Sequence, residues 1–164
     1  NRSIDIANRM LAESNCNNAR KLVIFSSDTI PLELITCTGL THLDLNGRAN
    51  VDDVMGAICR LPHLVGLYAT GLTLINAQTD FSIPECAENE PMAPLDTQLK
   101  RLVILHVDWG VLPELGIRVL KYLLLRIPTL KSVYAEFVCV EQIQGFIDEY
   151  VQWYPHLANI KFVR

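Results

Sequence analysis

What this chain has little of narrows its function before any pattern is sought. Lysine and arginine number 14 against 18 Asp and Glu, for a net charge of -4, and their only adjacent pairs are Arg20-Lys21 and Lys100-Arg101. Nucleic-acid binding leaves a clustered basic face, so no nucleic-acid partner is expected. No apolar run reaches membrane-spanning length and the first residues lack a signal-peptide core, so no membrane partner is expected and the location reads as cytoplasmic or nuclear. The five cysteines, Cys16, Cys37, Cys59, Cys86 and Cys139, are odd in number and form no Cys-x-x-Cys pair. That argues against a disulfide framework and against a structural zinc site, and leaves reduced, core-filling thiols. Missing too are a Gly-x-Ser-x-Gly elbow, His-Glu-x-x-His, a phosphate-binding Gly-x-x-x-x-Gly-Lys-Ser/Thr and a dinucleotide glycine fingerprint, so no catalytic residue, metal or cofactor is called. His42, His63, His106 and His156 could each meet a cysteine in space, which keeps a Cys–His enzyme as a remote alternative.

What the chain does have is 50% hydrophobic against 20% charged residues, the balance of one folded domain with a continuous core. Its organising stretch is 39–47, Gly-Leu-Thr-His-Leu-Asp-Leu-Asn-Gly, with apolar residues at Leu40, Leu43 and Leu45. The pattern apolar-x-x-apolar-x-apolar returns at Leu64, Leu102, Leu130 and Leu157, and Leu22 with Phe25 reads as a degenerate first copy. Between the copies lie helical periods. Over 50–59, Asn50 suits an N-cap, Asp52 and Asp53 suit the positive helix end, and Val51, Val54, Met55, Ile58 and Cys59 share a face. Over 113–127, Leu120, Leu123, Leu124 and Ile127 form the stripe, with Arg118, Lys121, Leu125 and Arg126 read as exposed. Over 140–153, Val140, Ile143, Phe146, Ile147, Tyr150 and Val151 repeat it. Three helices end in Leu-Pro-His-Leu, Ile-Pro-Thr-Leu and Tyr-Pro-His-Leu, and the shared place of His63 and His156 suggests a role in the turn.

Units of 24 to 28 residues, each with one strand and one helix, are the mark of a solenoid whose repeats bury their apolar faces by stacking. These segments resemble the leucine-rich repeat, in particular its ribonuclease-inhibitor-like and F-box-associated branch. The expected fold class is therefore α/β: a right-handed solenoid of about five strand–helix units with a curved parallel sheet. Residues 1–18 read as an N-terminal helix, over 3–14, and linker; 19–164 read as the solenoid. One interval, of 38, is longer and holds an insertion at 71–101 with Pro84, Pro91 and Pro94 and the acidic residues Asp80, Glu85, Glu88, Glu90 and Asp96. Its composition predicts a solvated surface loop. The start at Asn1 and an uncapped last strand suggest a fragment of a longer protein, with a neighbour covering the C-terminal repeat edge.

With the first, fourth and sixth positions of each strand facing the core, the third, fifth and seventh face the other way. The fifth-position column then reads Asp44, Tyr68, His106, Tyr134 and Lys161; the seventh reads Asn46, Thr70, Asp108, Glu136 and Val163; the third includes His42. His42, Asp44, Asn46, Tyr68, Thr70, His106, Asp108, Tyr134 and Glu136 are the predicted partner-binding residues. Tyrosines give large contact area for little lost entropy and carboxylates pair with Arg or Lys, so a basic peptide or basic patch on another protein is the expected partner. The expected function is non-catalytic protein recognition. The resemblance adds that F-box-like relatives serve as substrate receptors of ubiquitin ligases, and the alternative is a scaffold or adaptor subunit of a stable complex.

Overall fold

The computed structural model describes residues 18–85, 90–105, 107–108, 113–136 and 138–163. The helix expected over 3–14, together with Cys16, Cys86, Glu88, His106 and Trp109, lies outside them.

Among the described residues seven strands form one sheet, in which every pairing is parallel. They are β1 (Lys21–Thr29), β2 (His42–Asn50), β3 (Gly66–Thr73), β4 (Arg101–Ile104), β5 (Val107–Asp108), β6 (Ser132–Ala135) and β7 (Lys161–Phe162). The order across the sheet is β1-β2-β3-β4-β6-β7, with β5 paired onto the far end of β3. Among the described residues three α-helices stand between strands: α1 (Val51–Arg60) after β2, α2 (Pro113–Arg126) after β5 and α3 (Val140–Tyr150) after β6. Parallel neighbours cannot be joined by a tight hairpin, so each connection must cross back over a sheet face. The apolar stripes of all three helices enter one core with Leu43, Leu45, Leu67, Ala69, Leu102, Ile104 and Val133, which places them on the same face.

α1 follows its sequence signals closely. Asn50 Oδ1 accepts from Asp52 N at 2.9 Å, Asp52 and Asp53 occupy the first turn, and the helix stops one residue before Pro62. Its buried set is Val51, Val54, Met55, Ala57 and Ile58. Cys59 is exposed, as is Cys139, and among the described cysteines only Cys37 fills the core. In α2 the expected stripe is buried, but so are Tyr122 and Leu125, the latter only 1% exposed. The helix is therefore covered on more than its sheet-facing side.

Residues of 74–100 supply cover there. No helix or strand forms in this segment among the described residues, yet it is not the solvated loop that its acids and prolines suggest. Phe81 is buried and meets the Tyr122 ring edge-on at 5.2 Å, Leu95 N donates to Arg126 O at 2.7 Å, and Met92 N donates to Tyr154 Oη at 2.9 Å. Asp80, Glu85, Glu90 and Asp96 all stay exposed. From Phe81 onward the segment is an extended strap in which Phe81, Ile83, Met92, Leu95 and Leu99 turn inward while the four described carboxylates face water; Ile75, at its start, is 61% exposed.

The repeated strand has a fixed entrance. The N–H groups of Leu40, Leu64, Leu130 and Leu157 each close a turn on the carbonyl three residues back, in Cys37, Leu61, Ile127 and Tyr154. Leu99, not Leu102, belongs to this set: its N–H takes the buried Thr97 hydroxyl instead, at 3.2 Å. The next step agrees. Carbonyls of Arg20, Thr41, Val65 and Lys100 each accept from two successive N–H groups of the following strand, which makes Lys100 equivalent to Val65. The unit read as starting at Leu102 therefore starts at Leu99, and the first copy starts at Ala19 with Leu22 and Ile24 turned inward. At the other end a 3₁₀ turn, Pro155–Asn159, delays β7, so that Lys161 pairs with Ser132 rather than with Tyr134.

Candidate functional site

The sheet face opposite the helices is the candidate surface, and the register decides what it displays. Its third-position row runs Lys21, His42, Gly66, Arg101, Ser132, Lys161. Its fifth-position row runs Val23, Asp44, Tyr68, Val103, Tyr134, and Val163 continues it, with its N–H on Val133 O at 2.9 Å. Val103 stands where His106 was expected.

Val103 is the informative residue of this row. It points away from the core and belongs to no part of the core cluster, yet it is only 8% exposed. Its Cα neighbours on either side are Tyr68 and Tyr134, both half-buried, so the three side chains cover one another in the middle of the face. Apolar surface extends to both outermost strands: Val23 is 41% and Phe25 79% exposed on β1, and Val163 is 48% exposed after β7. Isolated apolar residues on a surface mean little, but aligned ones on one sheet face make a patch.

The predicted site residues divide into those on the face and those diverted from it. Tyr68 and Tyr134 are on it. Asp44 is also there, held at 2.9 Å by Lys21 Nζ, so its carboxylate is not free for a basic partner. His42 is exposed, and its ring lies over Gly66. Thr41 Oγ1 donates to Arg20 O at 2.8 Å and meets His42 Nδ1 at 3.0 Å, which leaves Nε2 facing the Gly66 gap. Glu136 is exposed just past β6.

Thr70 serves the backbone instead, and Asn46 lies in the register slip beside it. Between Leu45/Ala69 and Arg48/Gly71 the β2–β3 register slips, so Asn46 and Gly47 both stand opposite Thr70. This is a bulge. Thr70 Oγ1 fills it, accepting from Gly47 N at 2.9 Å and donating to Leu45 O at 3.3 Å. Gly47 has a positive φ of 157°, and a Cβ there would lie 2.4 Å from Ser26 O, so the bulge requires glycine. Asp108 pairs through its backbone with Thr73, at the far end of β3 rather than beside Thr70; its side chain and all of His106 lie outside the described residues.

Lys21, Arg101, Val23, Phe25 and Val103 were missed by the sequence reading, although the signal was there. Leu99-Lys-Arg-Leu-Val-Ile and Ala19-Arg-Lys-Leu-Val-Ile both spell the repeated pattern, in frames overlapping those chosen. The corrected face carries Lys21, Arg101 and Lys161 along its third-position row, and its fifth is apolar or aromatic except at Asp44.

On the helical side, Lys121 lies 5.1 Å over the Phe146 ring and Arg126 5.3 Å from the Tyr122 ring, so neither is merely solvated. His156 Nε2 meets Leu124 O at 2.8 Å, in keeping with a role in the turn, while His63 is exposed. Among the described residues no three His, Cys, Asp or Glu side chains group as metal ligands would, and no helix is long and apolar enough to cross a membrane. No protein-family model, curated protein or solved structure matches the chain.

Proposed function

We propose that this protein is a non-catalytic recognition module that binds another protein on the open face of its sheet. The observation that carries the reading is the Tyr68–Val103–Tyr134 stripe: an apolar-aromatic ridge on a face left uncovered by the described residues, continued by Val163 at one end and met by Asp44 and then Val23 at the other. Aromatic residues at the centre of a contact, with polar groups around them, are the usual composition of an energetic hot spot.

Strands in sequence order with helices on one side support the finer description as a short right-handed solenoid of leucine-rich-repeat-like units, in which the open face is the concave one. By that resemblance the module serves as a substrate receptor of a ubiquitin ligase. The second reading, a subunit of a stable complex, is favoured by apolar exposure on the outermost strands, Phe25 above all. Affinity purification with Tyr68→Ala/Tyr134→Ala beside wild type tests the shared claim. The double variant should lose the partner while keeping its thermal unfolding midpoint within a few degrees. Undiminished recovery would remove the open face from recognition. Solubility as a monomer would then favour the receptor, and rescue only by co-expression would favour the subunit.

A further inference from the structure

We infer that the Gly66 gap on this face is a carboxylate-binding site, and that the partner presents an acidic side chain to it beside the apolar group that packs on the tyrosine stripe. The inference rests on the recognition reading above and specifies its partner.

The gap is a depression of about 210 Å³ lined by Lys21, His42, Asp44, Gly66, Tyr68, Arg101 and Val103. It exists because position 66 has no side chain: a Cβ there would meet His42 Cδ2 at 2.8 Å. To either side along the third-position row stand His42 and Arg101, with Lys21 one strand further out. Arg101 offers a planar donor fork suited to a carboxylate, and His42 Nε2 stands across the gap from it as a second polar group. The fixed charges around the gap are Lys21 and Arg101 against Asp44, which leaves one net positive charge. A single carboxylate neutralises it; a doubly charged phosphate would exceed it. Lys161, beyond the neutral Ser132, adds a further positive charge at the far end of the same row.

The sign is opposite to the basic partner that the sequence suggests. Two facts reverse it: Arg101 and Val103 occupy the places expected for other residues, and the Asp44 carboxylate is already engaged by Lys21.

Backbone amide NMR of the full chain tests this with three blocked peptides: Phe-Glu-Phe-Glu, its Phe-Gln-Phe-Gln counterpart, and a Phe-phosphoserine-Phe-phosphoserine version. The Glu peptide should shift Gly66, Tyr68 and Arg101 amides saturably and bind about tenfold more tightly than the Gln peptide. That preference should shrink in about 0.5 M salt and vanish in Arg101→Gln and in Gly66→Ser. Arg101 is exposed and its side chain stands outside the core, so the first variant keeps the fold. Equal binding of Glu and Gln peptides, with shifts still at Tyr68 and Tyr134, would overturn the carboxylate site and leave the recognition face standing. Tighter binding of the phosphoserine peptide would overturn the assignment to a single charge. Silence of the whole face towards all three would count against both.

Discussion

Gly47 and Gly66 sit on the same sheet and are needed for different reasons. At Gly47 the obstacle is backbone, the Ser26 carbonyl, and φ is positive, so nothing nearby can yield. Gly47→Ala should cost more than about 1 kcal/mol in urea unfolding. At Gly66 the obstacle is the His42 ring, which can turn into solvent. Gly66→Ala should therefore leave stability within about 0.5 kcal/mol of wild type while narrowing the depression; equal losses at the two positions would show that the bulge exerts no special demand. Asp52 makes a third residue-scale case. Burial works to raise its carboxyl, but Thr79 Oγ1 and the backbone N–H groups of Gln78 and Thr79 together outweigh that and hold it below the ordinary 3.8. A depressed carboxyl contributes stability that is complete above its unfolded value and fades as pH falls through its folded one. Asp52→Asn should thus destabilise at pH 7, by an amount that shrinks as the pH of unfolding is lowered below the ordinary 3.8. A difference independent of pH would mean that the carboxylate does not hold the strap.

Among the elements, α1 was the most legible in the sequence because capping, charge and periodicity agreed there. Asn50→Ala should lower stability by about 1 kcal/mol through the lost cap. The strap at 74–100 was the least legible. Counting Pro84, Pro91, Pro94 and five carboxylates hid the fact that Phe81, Ile83, Met92, Leu95 and Leu99 are apolar residues spaced along an extended chain. Extended segments without strand pairing carry no period to find. Leu125, which the helical wheel left facing water, is buried as well, so α2 is packed on more than its sheet side. Phe81→Ala should cost about 3–5 kcal/mol in denaturant unfolding if the strap belongs to the core, whereas Glu85→Gln and Glu90→Gln should each stay within about 0.5 kcal/mol. A cost below about 1 kcal/mol for Phe81→Ala would return the segment to the status of a surface loop.

For the molecule as a whole, the sequence was enough for the parallel α/β sheet and for which face of most strands is buried, since both depend only on periods of two and of about 3.6. The columns of the open face needed register, and register turned on small choices: Thr97 in place of a backbone turn before Leu99, and a 3₁₀ turn that delays β7. Either frame buries leucines, so hydrophobicity could not choose between Leu99 and Leu102. That choice moved Arg101 and Val103 into the middle of the face. The direct test of recognition there is photo-crosslinking in cells from benzoylphenylalanine placed at Tyr68, compared with the same probe at Arg118 on exposed α2 surface. A specific crosslinked partner from position 68 and none from position 118 is the expected result; crosslinking from 118 alone would contradict it and move the binding surface to the helices.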